Sequence, residues 1–232
     1  MSETATISTL AGDGSFHAYC ARPQGQPRAA IVVIQEIFGV NTGIRHKCDR
    51  LASDGYLALA PDLFWRIEPG VELDPDVAPE FQRALRLMGQ FDQDQGVADI
   101  EATIRHARKE LGVPKVGVVG YCLGGRLAYM VAARTDADAS VGYYAVGVDG
   151  LLREKHAIAH PLMLHIAGDD HFVPPPVQQA MHEGLDDHPK VALHDYPGED
   201  HGFATETGSR RSEEAAELAD SRTAAFFAEH LG

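Results

Sequence analysis

Short runs of apolar, mostly β-branched residues alternate along this chain with stretches in which apolar side chains recur every third or fourth position. The first pattern predicts strands over 17–20, 30–35, 57–60, 116–119, 141–145, 162–166 and 192–196. The second predicts helices over 44–53, 79–90, 97–111, 125–134, 176–184 and 212–230. Most of these strands are continuously apolar rather than alternating, as strands covered on both sides must be. The expected class is therefore α/β, a mainly parallel sheet with helices on both faces. The first strand, entered through a tight turn, is expected to run antiparallel at the sheet edge. Pro61 and Pro114 mark element ends, because proline lacks the N–H a ladder needs and restricts the residue before it. The segment 66–77, rich in proline, glycine and acid, reads as an excursion over the surface.

Neither a linker nor an internal repeat interrupts the pattern, so residues 1–232 are expected to form one domain. Composition narrows the partners: the net charge of -14, with no basic tract to offset it, argues against nucleic acid and anionic membranes. A small-molecule partner is expected. The first residues hold neither a basic stretch nor an apolar run of signal length, and the three cysteines are too scattered for a disulfide framework or paired zinc motif. A reducing, cytoplasmic setting is the expectation.

The chemistry gathers where the strand 116–119 meets the helix 125–134. Gly120-Tyr121-Cys122-Leu123-Gly124 has the spacing of a nucleophile elbow, with cysteine where α/β-hydrolases carry serine. The nucleophile of such a turn sits in strained dihedrals, so glycines are needed two positions to either side. The helix that follows directs its N-terminal amides at the sulfur and favours a thiolate. Without a base or cation nearby, a thiol with its ordinary pKa near 8.5 is ionised only to about a few per cent. His201 stands out among the twelve histidines, because Gly198-Glu199-Asp200-His201-Gly202-Phe203 lies between the last strand and the last helix. The acid that orients it belongs to the loop after the preceding strand, where spacing alone leaves Asp169 and Asp170 equivalent. His171 on that loop reads as structural. Glu36 follows an apolar run directly, where burial of an acid is unfavourable unless it is hydrogen-bonded or neutral. Its loop can supply an oxyanion-hole amide alongside that of Leu123.

Six segments, among them 35–41, 60–63, 117–125 and 170–174, resemble those of the dienelactone hydrolase family in the same order. The resemblance spans nearly the whole chain. It implies a Cys122–His201–Asp170 triad, Glu36 as the base that takes the thiol proton once substrate binds, and an oxyanion hole from the amides of Ile37 and Leu123. A thioester intermediate, a monomeric state and chemistry with neither metal nor organic cofactor are what the resemblance further implies. In that family two arginines hold the lactone carboxylate; the matching positions here are Phe81 and Thr205. The expected substrate is thus an ester or lactone less anionic than dienelactone, in a pocket involving Phe38, Phe81, Tyr144, Phe203 and Thr205, with Trp65 as a further aromatic candidate. A non-catalytic binding protein on the same fold is the alternative, and a thiol redox sensor a third reading.

Overall fold

Strands β3 (Ala30–Ile34) and β4 (Leu57–Pro61) are buried at every position, which is why both read as unbroken apolar runs. The computed structural model describes residues 2–206 and 208–232. The remaining strands are β1 (Ser2–Ser8), β2 (Ser15–Ala21), β5 (Val116–Tyr121), β6 (Ala139–Tyr143), β7 (Leu162–Ala167) and β8 (Val191–Tyr196). The helices are α1 (Thr42–Ser53), α2 (Ala78–Met88), α3 (Gln93–Lys109), α4 (Leu123–Arg134), α5 (Pro175–Leu185) and α6 (Glu213–Leu231). A 3-10 segment, Asp149–Ala157, was not expected from the sequence. The eight strands form one mainly parallel sheet in the order β1-β2-β4-β3-β5-β6-β7-β8. The pairs β3/β4, β6/β7 and β7/β8 are parallel.

Two expectations about the sheet need correction. The strand expected at the edge, β2, lies inside it, antiparallel to β1 on one side and to β4 on the other. The edge belongs to β1, whose Ser, Thr and Ala residues are mostly exposed and whose Ile7 alone is buried. The segment 66–77 is not merely an excursion over the surface either. Val71 and Leu73 are buried, Glu72 bridges Gly39, and both carboxylate oxygens of Asp62 accept backbone amides, from Phe64 at 3.1 Å and Gly70 at 2.7 Å.

The chain divides into two compact units, 1–117 with 206–209, and 118–205 with 210–232. In the first, Asn41 caps α1 through the amide of Ile44, and Asp92 caps α3 through the amides of Asp94 and Gln95. Asp99, almost fully buried, accepts from Trp65 Nε1 at 2.9 Å and is paired with Arg66. Lys47, also buried, is matched by Glu206 at 3.2 Å.

In the second unit, β6 and β7 are buried throughout. Gly142 of β6 faces the backbone of Gly125 on α4, whereas the side chain of the next residue, Tyr143, bonds Asp220 and Thr223 of α6. Successive strand residues point to opposite faces, so α4 and α6 cover opposite sides of β6. The close approach of α4 explains the paired glycines: a Cβ on Gly125 would stand 2.6 Å from the carbonyl oxygen of Tyr143. β6 ends two residues earlier than its apolar pattern suggests, because Tyr144 takes φ +37° and leaves the extended region.

Candidate active site

Cys122 sits between the last residue of β5 and the first of α4 with φ 57° and ψ -114°. Apart from Tyr144 it is the only non-glycine residue with positive φ among those described. A side chain held there stores backbone strain, of the order of 1–3 kcal/mol, which the surrounding structure must sustain. The constraint is visible at Gly120, where a Cβ would come within 1.9 Å of the Gly124 carbonyl oxygen. The amide of Cys122 donates to Tyr143 O at 3.1 Å, tying the turn to β6. Its thiol is partly exposed, unlike those of Cys20 and Cys48, which are buried. Burial pushes the Cys20 thiol up to about 11 and the Cys48 thiol higher still, leaving both protonated and sluggish.

His201 lies on the loop between β8 and α6, and Asp170 on the loop after β7. Nδ1 of the imidazole and Oδ2 of the carboxylate are 2.8 Å apart, both side chains almost wholly removed from solvent. The second oxygen of Asp170 accepts the Phe172 amide at 2.8 Å. Asp169, equivalent to Asp170 by spacing, is exposed, and its amide donates to Glu199 O at 2.9 Å. His201 Nε2 is buried and has no hydrogen-bond partner among the described residues. Burial of the ring opposes its charged form. The hydrogen bond to Asp170, with the negative charge that Asp170 and Cys122 can each carry, outweighs that penalty and pushes the imidazole up to about 10.

Two aromatic rings flank the imidazole edge-on, Tyr144 at 5.0 Å and Phe172 at 4.8 Å. Tyr144 is buried, whereas Phe172 is 45% exposed. Phe203, expected in the substrate pocket, is fully buried between Tyr196 and Tyr144. Thr205 is buried too, and its hydroxyl has no partner among the described residues. Arg210, distant by sequence spacing, returns to this loop: a Cβ on Gly202 would meet its guanidinium at 3.0 Å. Arg211 pairs with Glu213 and donates to Thr205 O.

In the first unit, Glu36 is buried just beyond β3, and its Oε1 has no hydrogen-bond partner. Its carbonyl is held by Gln35 Nε2 at 3.2 Å, while Gln35 Oε1 accepts the Leu63 amide at 3.1 Å. Ile37 and Phe38 are buried, and Phe38 packs against Phe81 with ring centroids 5.7 Å apart. Arg83, on the helix of Phe81, is paired with Glu68. Trp65 stacks on Phe16 and donates to Asp99, so its indole serves the packing around α3.

Sequence reasoning missed Phe172, which no periodicity marks, and the clamp that Gln35 places on the Glu36 loop. His171, expected to be structural, is exposed and bonded to Asp200 at 2.8 Å. Asp170, His171 and Asp200 bring one donor atom each within 4.8 Å of one another. Their mutual bonds and the bond of Asp170 to His201 already engage those donors. No helix among the described residues is long and apolar enough to cross a membrane.

A family model described as the dienelactone hydrolase family matches residues 16–231. The chain is 48% identical to an Azospirillum brasilense protein assigned as a carboxymethylenebutenolidase, over 97% of this chain and 99% of that one. It is 42% identical to the carboxymethylenebutenolidase of Pseudomonas putida, over 97% and 96% respectively. A crystal structure assigned to a dienelactone hydrolase of Klebsiella pneumoniae superposes with a TM-score of 0.85 at 28% identity, covering 99% of each chain. The chain therefore belongs to the dienelactone hydrolase family, as a hydrolase of the carboxymethylenebutenolidase type.

Proposed function

We propose that this protein hydrolyses a carboxylic ester or lactone through a thioester on Cys122, with His201 and Asp170 completing the triad. The observation that carries the reading is the buried 2.8 Å Asp170–His201 pair, which leaves the second imidazole nitrogen without a partner, together with a cysteine held in a strained strand-to-helix turn. Glu36 takes the thiol proton when substrate arrives; its burial and its unmatched oxygen suit a carboxylate kept for that step. The sulfur attacks the carbonyl carbon, and the amides of Ile37 and Leu123 hold the oxyanion. The alkoxide departs with a proton from His201 Nε2, and water then cleaves the thioester. A thiol ionised only in the presence of substrate resists oxidation better than a permanent thiolate. Neither metal nor organic cofactor enters this scheme, and the protein is read as a cytoplasmic monomer.

The preferred ester is less anionic than dienelactone. Two charge-assisted contacts to a carboxylate contribute about 1.5–3 kcal/mol each, and the positions that carry arginine in the family hold Phe81 and Thr205. The nearby cations Arg83 and Arg211 are matched by Glu68 and Glu213. Phe81, half-buried and packed on the buried Phe38, offers apolar surface instead.

The test is turnover of a neutral aryl acetate and of dienelactone by wild type and variants. Cys122→Ala is expected to abolish turnover. Cys122→Ser should leave little, because Glu36 does not readily deprotonate an alcohol, and His201→Ala should be nearly as damaging. Thiol titration of the folded protein should count one accessible equivalent, since Cys20 and Cys48 are buried. Near-normal turnover by Cys122→Ala would overturn the mechanism. A strong preference for the anionic lactone, lost in Arg210→Ala, would overturn the substrate assignment alone.

A further inference from the structure

Phe172 is the single aromatic among the large apolar residues left exposed in the described structure, at 45%. Isolated exposed apolar side chains are ordinary on a protein surface. This one differs in being fixed from several directions. Its amide is bound by the same Asp170 carboxylate that orients His201. Its ring lies 3.9 Å from that of His171, which is itself held by Asp200 at 2.8 Å. Its other contact is the edge-on approach to His201 at 4.8 Å, with the rings at 80°. A flat apolar surface is thus held open beside the imidazole, while Tyr144, on the same ring at 5.0 Å, is buried and offers none.

The chemistry of acylation says what would lie there. As the sulfur–carbon bond forms and the carbon–oxygen bond breaks, the proton passes from His201 Nε2 to the departing oxygen, which must come within about 3 Å of that nitrogen. The group attached to that oxygen is then the part of the substrate nearest the imidazole and its open neighbour. We infer that Phe172 is a specificity-determining residue that receives the alcohol portion of the ester and selects flat aromatic or apolar leaving groups. The inference rests on the proposed roles of Cys122 and His201.

Acetate esters separate it from that underlying reading, because every one passes through the same acetyl-enzyme. Phe172→Ala and Phe172→Leu are compared with wild type on phenyl acetate and methyl acetate, each ratio of variant to wild type cancelling the ester's intrinsic reactivity. For Phe172→Ala, kcat/KM on phenyl acetate is expected to fall about three- to tenfold, the range of one aromatic contact, and on methyl acetate less than about twofold. Phe172→Leu should lie between for phenyl acetate, and the deacylation rate of the acetyl-enzyme should be unchanged in both variants. Equal losses on the two esters, a slowed deacylation, or no loss on either would overturn the inference. Retained turnover by Cys122→Ala would instead strike the mechanism beneath it.

Discussion

Asp170 holds His201 through one carboxylate oxygen and its own loop, at the Phe172 amide, through the other, both at 2.8 Å. This double use fixes the imidazole as an Nδ1–H donor and leaves Nε2 for chemistry. Asp170→Asn keeps the size but can offer its amide nitrogen to Nδ1, which stabilises the wrong tautomer. A fall of about 10³–10⁴ in kcat/KM for an aryl acetate is expected, with the fold unchanged by circular dichroism. An Asn variant within tenfold of wild type would show that orientation by Asp170 is unimportant.

The same bond sets an alkaline limit. His201 titrates from an imidazole value raised to about 10, so its imidazolium persists through neutral pH and is lost only as pH rises through that value. The profile of kcat/KM should stay level to about pH 9 and then fall. In Asp170→Asn the His201 resonances should titrate at lower pH. An unchanged midpoint in that variant would contradict the assigned cause.

Gly120→Ala tests the elbow independently of catalysis. The new methyl would meet the Gly124 carbonyl at 1.9 Å, a contact with backbone that cannot rotate away. Loss of more than about 3 kcal/mol in urea denaturation, or failure to fold, is expected. Gly150→Ala, with open space around its Cβ and no positive φ, is the control outside the elbow.

A buried polar chain links β8, β7, α6 and β6: Tyr196 to His165 Nδ1 at 2.7 Å, His165 Nε2 to Thr223 at 2.9 Å, Thr223 to Tyr143 at 2.7 Å, and Tyr143 to Asp220 at 3.0 Å. Burial pushes His165 far below the ordinary imidazole range and keeps it neutral. Thr223→Val strands the Nε2 of His165 while the Tyr143 phenol keeps Asp220, so a loss of about 1–3 kcal/mol is expected, that of one desolvated group. Chemical denaturation with Thr223→Ser as the restoring variant checks it.

His182 links α5 to β8 by donating to Asp186 at 3.0 Å and to Asp195 at 3.1 Å. Partial burial opposes its charge, but the two carboxylates prevail and raise its pKa above 6.5. The stabilisation is therefore complete below about pH 6.5 and fades as pH rises through the raised value. His182→Gln should lower Tm at pH 6 and leave it unchanged near pH 9. A deficit independent of pH would mean the ring contributes packing rather than charge.

The parts of the fold legible in the sequence are those where burial dictates composition. β3, β4 and β7 announce themselves because no polar residue is tolerated on either face, apart from His165 with its own partners. β1 was illegible because an exposed edge strand accepts Ser and Thr as readily as a loop does. The 3-10 segment Asp149–Ala157 buries only Leu151 and shows no periodicity. At the site, the glycine spacing around Cys122 carries a steric demand that sequence preserves. The choice between Asp169 and Asp170 depends on which carboxylate the loop turns inward, a property of tertiary structure alone. Phe172 escaped for the same reason, since nothing local says what a loop side chain leans on.

Residues 206–209 belong to the unit formed mainly by 1–117, although the chain reaches them only after traversing 118–205. A gene severed between codons 117 and 118 would split β5 after its second residue and strip Lys47 of its counter-charge on Glu206. Neither fragment would own all the atoms its core requires. Circular permutants and split reporters built on this scaffold should accordingly open at surface loops such as Gly12 rather than at the midpoint of the chain.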